Sequence, residues 1–226
     1  LMKVFLHTCP DVVINCVGLI KQLSDFSDPL QAIPINSMLP HRLARLCEGR
    51  ARFIHISTDC VFDGRKGDYV ESDCADARDL YGMSKYIGEV AYPHSITLRT
   101  SIIGHELQSK NSLVEWFLSQ GPRCNGFTRA VFSGLPAVVL AQIIRDHVIP
   151  DKELSGIYHL AAKSINKYDL LTLIADVYSK SIQIIPDNTL VIDRSLNADK
   201  FRIATGYIAP EWPTLIRTMY SYKKSS

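Results

Sequence analysis

Two stretches, ISTDCVFDG (56–64) and YGMSK (81–85), decide how this chain reads. The first ends the apolar run ARFIHIS (51–57) and breaks at once into Ser57, Thr58, Asp59 and, soon after, Gly64. The second opens the helical pattern DLYGMSKYIGEVAY (79–92). A short β-type run ending in polar residues, then a loop, then a helix is the repeating unit of a parallel sheet with covering helices.

Working outward, the same alternation continues in both directions. Upstream, DVVINCVG (11–18) predicts a buried strand with polar groups at its carboxyl end, and residues 28–49 predict a helical stretch. Asp28 caps that stretch, Pro29 suits its first turn and Gly49 stops it. Pro34 and Pro40 should break or bend it. Downstream, SITLRTSIIG (95–104) predicts a strand, and residues 111–121 a helix capped by Asn111. Another helix is expected over 135–149, starting near Pro136. After Pro150 come a strand SGIYHLA, a helix over 166–180, a short strand SIQIIP and two terminal helices. The expected fold class is α/β, a parallel-sheet Rossmann-like domain over residues 1–150, incomplete at its N-terminus. A small C-terminal α/β substrate lobe over 151–226 is interleaved with it.

Bulk properties exclude several classes. At 226 residues with 46% apolar and 21% charged residues, the chain suits one sizeable α/β domain, with or without a small satellite. A net charge of +2 without a basic patch argues against nucleic acid, and the basic run Lys223-Lys224 in the polar tail is only two residues long. The longest apolar run, Val12 to Ile20, contains Asn15 and is far too short for a membrane span. With no leader pattern, a cytoplasmic location is expected. Cys9, Cys16, Cys47, Cys60, Cys74 and Cys124 form no CxxC or CxxH pair, so reduced thiols are expected and no metal.

Tyr81 and Lys85, four residues apart, share one helix face. An ordinary tyrosine, with a pKa of about 10, is a poor acid or base near neutrality. A neighbouring ammonium, or a cationic ring such as an oxidised nicotinamide, favours the phenolate. Such a tyrosine exchanges a proton with a carbonyl or alcohol oxygen while hydride moves at the adjacent carbon. A hydroxyl at the end of a neighbouring strand, here Thr58, can hold the same oxygen. A tyrosine and a surface lysine at this spacing also arise on any amphipathic helix, so the pair gains meaning only from its company.

That company is NCVG after one strand, STDCVFDG after the next, then YGMSKYIGE, LRTSIIG and RSLNADKF. In this order and separation, the segments resemble the extended short-chain dehydrogenase/reductase superfamily. Within it, they are most similar to the dTDP-4-dehydrorhamnose reductase family, over nearly the whole chain. The resemblance implies NAD(P)-dependent reduction of a nucleotide-linked 4-keto sugar, of the kind used in polysaccharide biosynthesis. It makes Tyr81 the proton donor, Lys85 the group that lowers its pKa and binds the ribose, and Thr58 the partner of the sugar carbonyl. It places Asn15, Cys16, Val17, Gly18, Ser57, Thr100 and Ser101 along the cofactor, NADP or NAD. Asp59, Cys60 and Arg194 become substrate neighbours, although Asp59 could equally cap a turn and Arg194 pair on the surface.

One departure from the family stands out. There is no GxxGxxG, and DVVINCVG arrives about ten residues into the chain. The chain therefore reads as lacking roughly the first half of a Rossmann unit, either as a fragment of a longer enzyme or as a natural short form. In a natural short form, cofactor binding would be weak or lost, and a second copy in a homo-oligomer would cover the open sheet edge. Two alternatives stay open: an epimerase of the same superfamily, and a non-catalytic binding module on the same fold. A dehydratase would carry an acidic pair after the catalytic Thr, and Thr58 is followed by Asp59 and then Cys60.

Overall fold

A computed structural model describes residues 1–20, 28–106 and 112–225. In chain order the elements are α1 (Met2–Thr8), β1 (Val12–Asn15), α2 (Pro29–Ala32), α3 (Leu39–Cys47), β2 (Arg52–Thr58), α4 (Leu80–Ile87), β3 (Ser95–Thr100) and β4 (Ile102–Ile103). They continue as α5 (Leu113–Ser119), β5 (Arg123–Phe127), β6 (Ala130–Phe132), β7 (Leu135–Pro136), α6 (Ala137–Ile143), β8 (Gly156–His159) and β9 (Ile165–Asn166). The last are α7 (Lys167–Tyr178), β10 (Gln183–Asp187), β11 (Ile192–Asp193), α8 (Asp199–Thr205) and α9 (Trp212–Ser225).

The chain forms two compact units. The first comprises residues 1–63, 71–99 and 147–159; the second comprises 64–70, 100–146 and 160–226. Residues 147–159 group with the earlier part of the chain because β8 pairs with β3, with Ile96 opposite Gly156 and Arg99 opposite His159.

The first unit holds a four-stranded sheet in the order β1-β2-β3-β8. β1 runs parallel to β2, and β3 parallel to β8. This is the expected parallel-sheet, Rossmann-like α/β architecture. β2 and β3 are buried almost end to end, as strands covered on both faces must be. β1 departs from expectation. It is shorter than the run 11–18 and lies at an edge, with Ile14 43% exposed. α1, which the sequence reading passed over, inserts Phe5 into a cluster with Ala44, Cys47, Ala51, Phe53 and Val90.

The helical stretch from Asp28 to Cys47 is capped as expected, since the Asp28 carboxylate accepts from the Leu30 N–H at 2.9 Å. Pro34 does not break it. Lacking an N–H, it coincides with a shift of the ladder to a π-helical turn, Ile33–Met38, and the helix runs on as α3. Gly49 follows with a φ of 67°, the left-handed geometry that ends such a helix. α4 is shorter than the 79–92 pattern: Asp79 caps it by accepting from the Gly82 N–H, and it stops at Ile87.

The second unit is assembled from smaller sheets. β4 pairs with β7, β10 with β5, and β6 stands between β11 and β9. α9 packs on α6 and α7, burying Trp212, Leu215, Ile216, Met219, Leu170 and Ile174. The expected strand 95–104 divides at Ser101, whose carbonyl accepts from the Leu135 N–H at 2.8 Å. The helix expected over 111–121 is Leu113–Ser119, and its proposed cap Asn111 lies outside the described residues. The helix expected over 135–149 begins at Ala137 because Leu135 and Pro136 are used as β7, and it ends in a π-helical turn, Ile144–Val148.

Candidate active site

At the carboxyl end of β2 the chain turns through a single 3-10 turn, Asp59–Val61. Thr58 caps it, its hydroxyl accepting from the Cys60 N–H at 3.1 Å. The same hydroxyl lies 3.2 Å from an Asp59 carboxylate oxygen and hydrogen-bonds the Tyr81 hydroxyl. A hydroxyl has one proton and two acceptor sites, so Thr58 can relay between these neighbours. α4 reaches the turn because Gly82 has no side chain: a Cβ there would collide with the Cys60 carbonyl oxygen. Gly88 plays the same part at the other end, where a Cβ would collide with the Asn36 carbonyl. The glycines of YGMSKYIG thus set the approach of the helix that carries Tyr81 and Lys85.

Lys85 is buried beneath this surface and donates to the Ile56 carbonyl at 2.8 Å. Burial pulls its pKa down to about 8, against the opposing pull of Glu89 and of Cys16. Its ammonium has three donors, and Ile56 uses one. Tyr81 is held well above the ordinary phenol range, first by burial, then by Cys60, Asp59 and Asp79, with the Thr58 hydrogen bond opposing. In the free chain, therefore, the phenol is raised, whereas the resemblance implied lowering by Lys85. The charges acting on Tyr81 are negative, and the Lys85 ammonium is directed to Ile56. A protonated Tyr81 is the form that a proton donor needs.

The loop after β1 borders the same region. Asn15 turns the chain by accepting from the Val17 N–H at 3.2 Å, while its amide donates to His55 Nδ1 at 3.1 Å. Cys16 interacts electrostatically with Lys85. A Cβ built on Gly18 would stand 3.9 Å from Lys85 Nζ and 3.3 Å from Asn36 Oδ1. This bare stretch of backbone beside a buried ammonium suits a ligand rich in hydroxyl groups. Ser57, in contrast, gives its proton to Glu89 at 2.7 Å. Thr100, Ser101 and Arg194 belong to the second unit. There Thr100 donates to the Ser101 carbonyl at 3.3 Å, and the stem of Arg194 lies against Gly64.

Several residues that the sequence reading passed over hold this arrangement. Asn36, buried in the π-helical turn, accepts from the Leu19 N–H at 2.8 Å and donates to the Leu19 carbonyl and to Ser84 Oγ. Ser37 donates to the Ser84 carbonyl at 2.7 Å. Pro34 within a helical pattern was the signal, because a displaced ladder often marks a functional site. His55 is wholly buried, and burial above all holds its pKa at about 3, so the ring is neutral beside Lys85. Among the described residues its Nε2 has no hydrogen-bond partner, and no group of three or more His, Cys, Asp or Glu could hold a metal. No described helix is long and apolar enough to cross a membrane.

A probable low-salt glycan biosynthesis reductase Agl14 from Haloferax volcanii is 31% identical over 206 residues, which cover 86% of this chain and 66% of that protein. Methionine adenosyltransferase 2 subunit beta from Danio rerio is 30% identical over 185 residues, covering 75% and 56% respectively. The chain thus spans about two thirds or less of the length of these curated relatives. Among solved structures, dTDP-4-dehydrorhamnose reductase from Bacillus anthracis in complex with NADP superposes with a TM-score of 0.84 at 19% identity, over 98% of this chain and 84% of that one. The model of the RmlD substrate binding domain matches residues 1–194, a span that takes in Asn15, Thr58, Tyr81, Lys85 and Arg194 alike, and the chain belongs to that family.

Proposed function

We propose that this chain carries the proton-transfer half of an NAD(P)H-dependent reductase of a nucleotide-linked 4-keto sugar. One observation carries the reading: the Thr58 hydroxyl is hydrogen-bonded to that of half-buried Tyr81, with Lys85 one helical turn further along α4. The similarity to a glycan biosynthesis reductase and the fold shared with an NADP-bound dTDP-4-dehydrorhamnose reductase support it.

In this mechanism Thr58 donates to the sugar carbonyl oxygen and fixes it beside Tyr81. Tyr81 passes its proton to that oxygen as negative charge develops there. Lys85 binds ribose hydroxyls through the donors that Ile56 leaves available. A reduced nicotinamide bound there would supply the hydride to the carbonyl carbon. Tyr81, left as a phenolate by the transfer, regains its proton from solvent. Asn15 to Gly18 border the cofactor, and Asp59 and Cys60 the sugar.

The test is turnover of a dTDP-4-keto-6-deoxy sugar with NADPH and with NADH, followed at 340 nm. Turnover that Tyr81→Phe abolishes supports the assignment, and turnover unchanged in Tyr81→Phe refutes it. A second reading, a binding module without catalysis, draws on the 30% identity to a protein named as the subunit of another enzyme. Tight nucleotide binding with no turnover in the full-length protein would favour it.

A further inference from the structure

Glu89 lies just past α4, about one helical turn beyond Lys85, since Gly88 keeps right-handed helical angles and the Glu89 N–H still donates to Tyr86. Its carboxylate is 3% exposed and makes a forked pair with Arg99, itself 2% exposed: Arg99 Nε and Nη2 donate at 2.8 and 2.7 Å. Ser57, the residue before Thr58, donates to the same carboxylate at 2.7 Å. Arg99 is in turn fixed over the Phe62 ring and within 3.4 Å of His159 Nε2. One buried carboxylate thus joins the strand end carrying Thr58, the helix carrying Lys85, and β3.

A buried ion pair of this kind rarely adds stability, because desolvating two charges costs about as much as their attraction returns. Its presence at this junction calls for another account. Resting on the reading above, we propose that Glu89 is a positioning residue: it locks the end of β2 against α4 and supplies the negative charge that keeps buried Lys85 an ammonium. The groups facing Lys85 bear this out. Glu89 stands about one turn beyond it, Cys16 acts on it from the loop after β1, and His55, itself acted on by His41, does so from β2. Of the groups acting on Lys85, Glu89 is the first to oppose the effect of its burial. Arg99 tempers that charge by sharing the carboxylate.

The decisive measurement is the titration of Lys85 in the chain without cofactor. Competitive acetylation by acetic anhydride from pH 6 to 10 is read on the Lys85 peptide by mass spectrometry. Glu89→Gln should lower the titration midpoint by about one pH unit, and Arg99→Met, which frees the carboxylate to face Lys85, should raise it. Circular dichroism establishes that each variant is folded, and Arg99→Met alone decides the matter if Glu89→Gln does not fold. An unchanged midpoint in a folded Glu89→Gln chain, or an unchanged or lowered one in Arg99→Met, overturns the proposal. Because no cofactor enters this measurement, a full-length protein that neither binds nor turns over NADPH refutes the reductase reading without touching this one. Where NADPH binds, Glu89→Gln should weaken it about tenfold and shift its loss with rising pH to lower pH, with Glu89→Asp restoring part of both.

Discussion

The two units treat buried polar groups in opposite ways. In the second, the buried polar side chains among the described residues are Thr100, Ser133 and Ser195, all neutral hydroxyls. In the first they include His55, Asp59, Lys85, Arg99 and His159, grouped where β2, β3 and α4 meet. Burying charge costs free energy unless partners return it. The first unit accepts that cost next to Thr58 and Tyr81, which is what a site for moving protons and binding ribose would require. The second unit consists of apolar packing around α9 and short sheets tied by backbone hydrogen bonds, as where the Leu135 N–H donates to the Ser101 carbonyl at 2.8 Å.

The largest test of this contrast is catalytic. Tyr81→Phe should lower kcat by about two to four orders of magnitude while NADPH affinity is little changed, as measured by steady-state turnover and fluorescence titration. Equal kcat values would remove the chemical significance of the first unit.

Next come the close approaches. Gly88→Ala drives a methyl group into the Asn36 backbone and should cost about 3 kcal/mol in urea unfolding. Gly67→Ala, in the second unit, meets only the Asp193 side chain but sits at a φ of 71°; about 1–2 kcal/mol is expected. A larger loss at Gly67 than at Gly88 would show that the second unit is the more tightly built.

Lys85 offers a test with the opposite sign. Its pKa falls from an ordinary 10.5 to about 8 in the folded chain. Between those values the unfolded chain binds more protons at this position, so stability rises with pH through that window. Below about pH 8 both states are protonated, and the full cost of burying the charge is felt. Lys85→Met should therefore stabilise the chain at pH 7 by about 2 kcal/mol and abolish the rise between pH 8 and 10. NADPH binding should be lost in the same variant. Thermal melts across pH would check this, and a destabilised Lys85→Met would mean the ammonium is a net structural asset.

The smallest effect lies far from the site. Ser179, after α7, holds a left-handed φ of 53° and is exposed. Ser179→Gly should add about 0.5–1 kcal/mol without altering activity.

Much of this molecule was legible in its residue order. The alternation of apolar runs and amphipathic patterns fixed the α/β class, and Asp28, Pro29 and Gly49 marked their helix's ends correctly. The motifs around Thr58 and Tyr81–Lys85 named the candidate chemistry, because strand ends and helix spacing are local properties of the chain. Tertiary structure alone decided what those groups experience. That Pro34 yields a π-helical turn placing Asn36, that Ser57 turns to Glu89, and that Tyr81 is raised in the free chain all depend on neighbours distant in sequence. Burial and long-range pairing set electrostatics, and no periodicity in a sequence records how deeply a side chain will be buried. The interleaving of the two units has the same origin: β8 joins β3 across more than fifty residues, a pairing that hydrogen bonds select and local pattern does not.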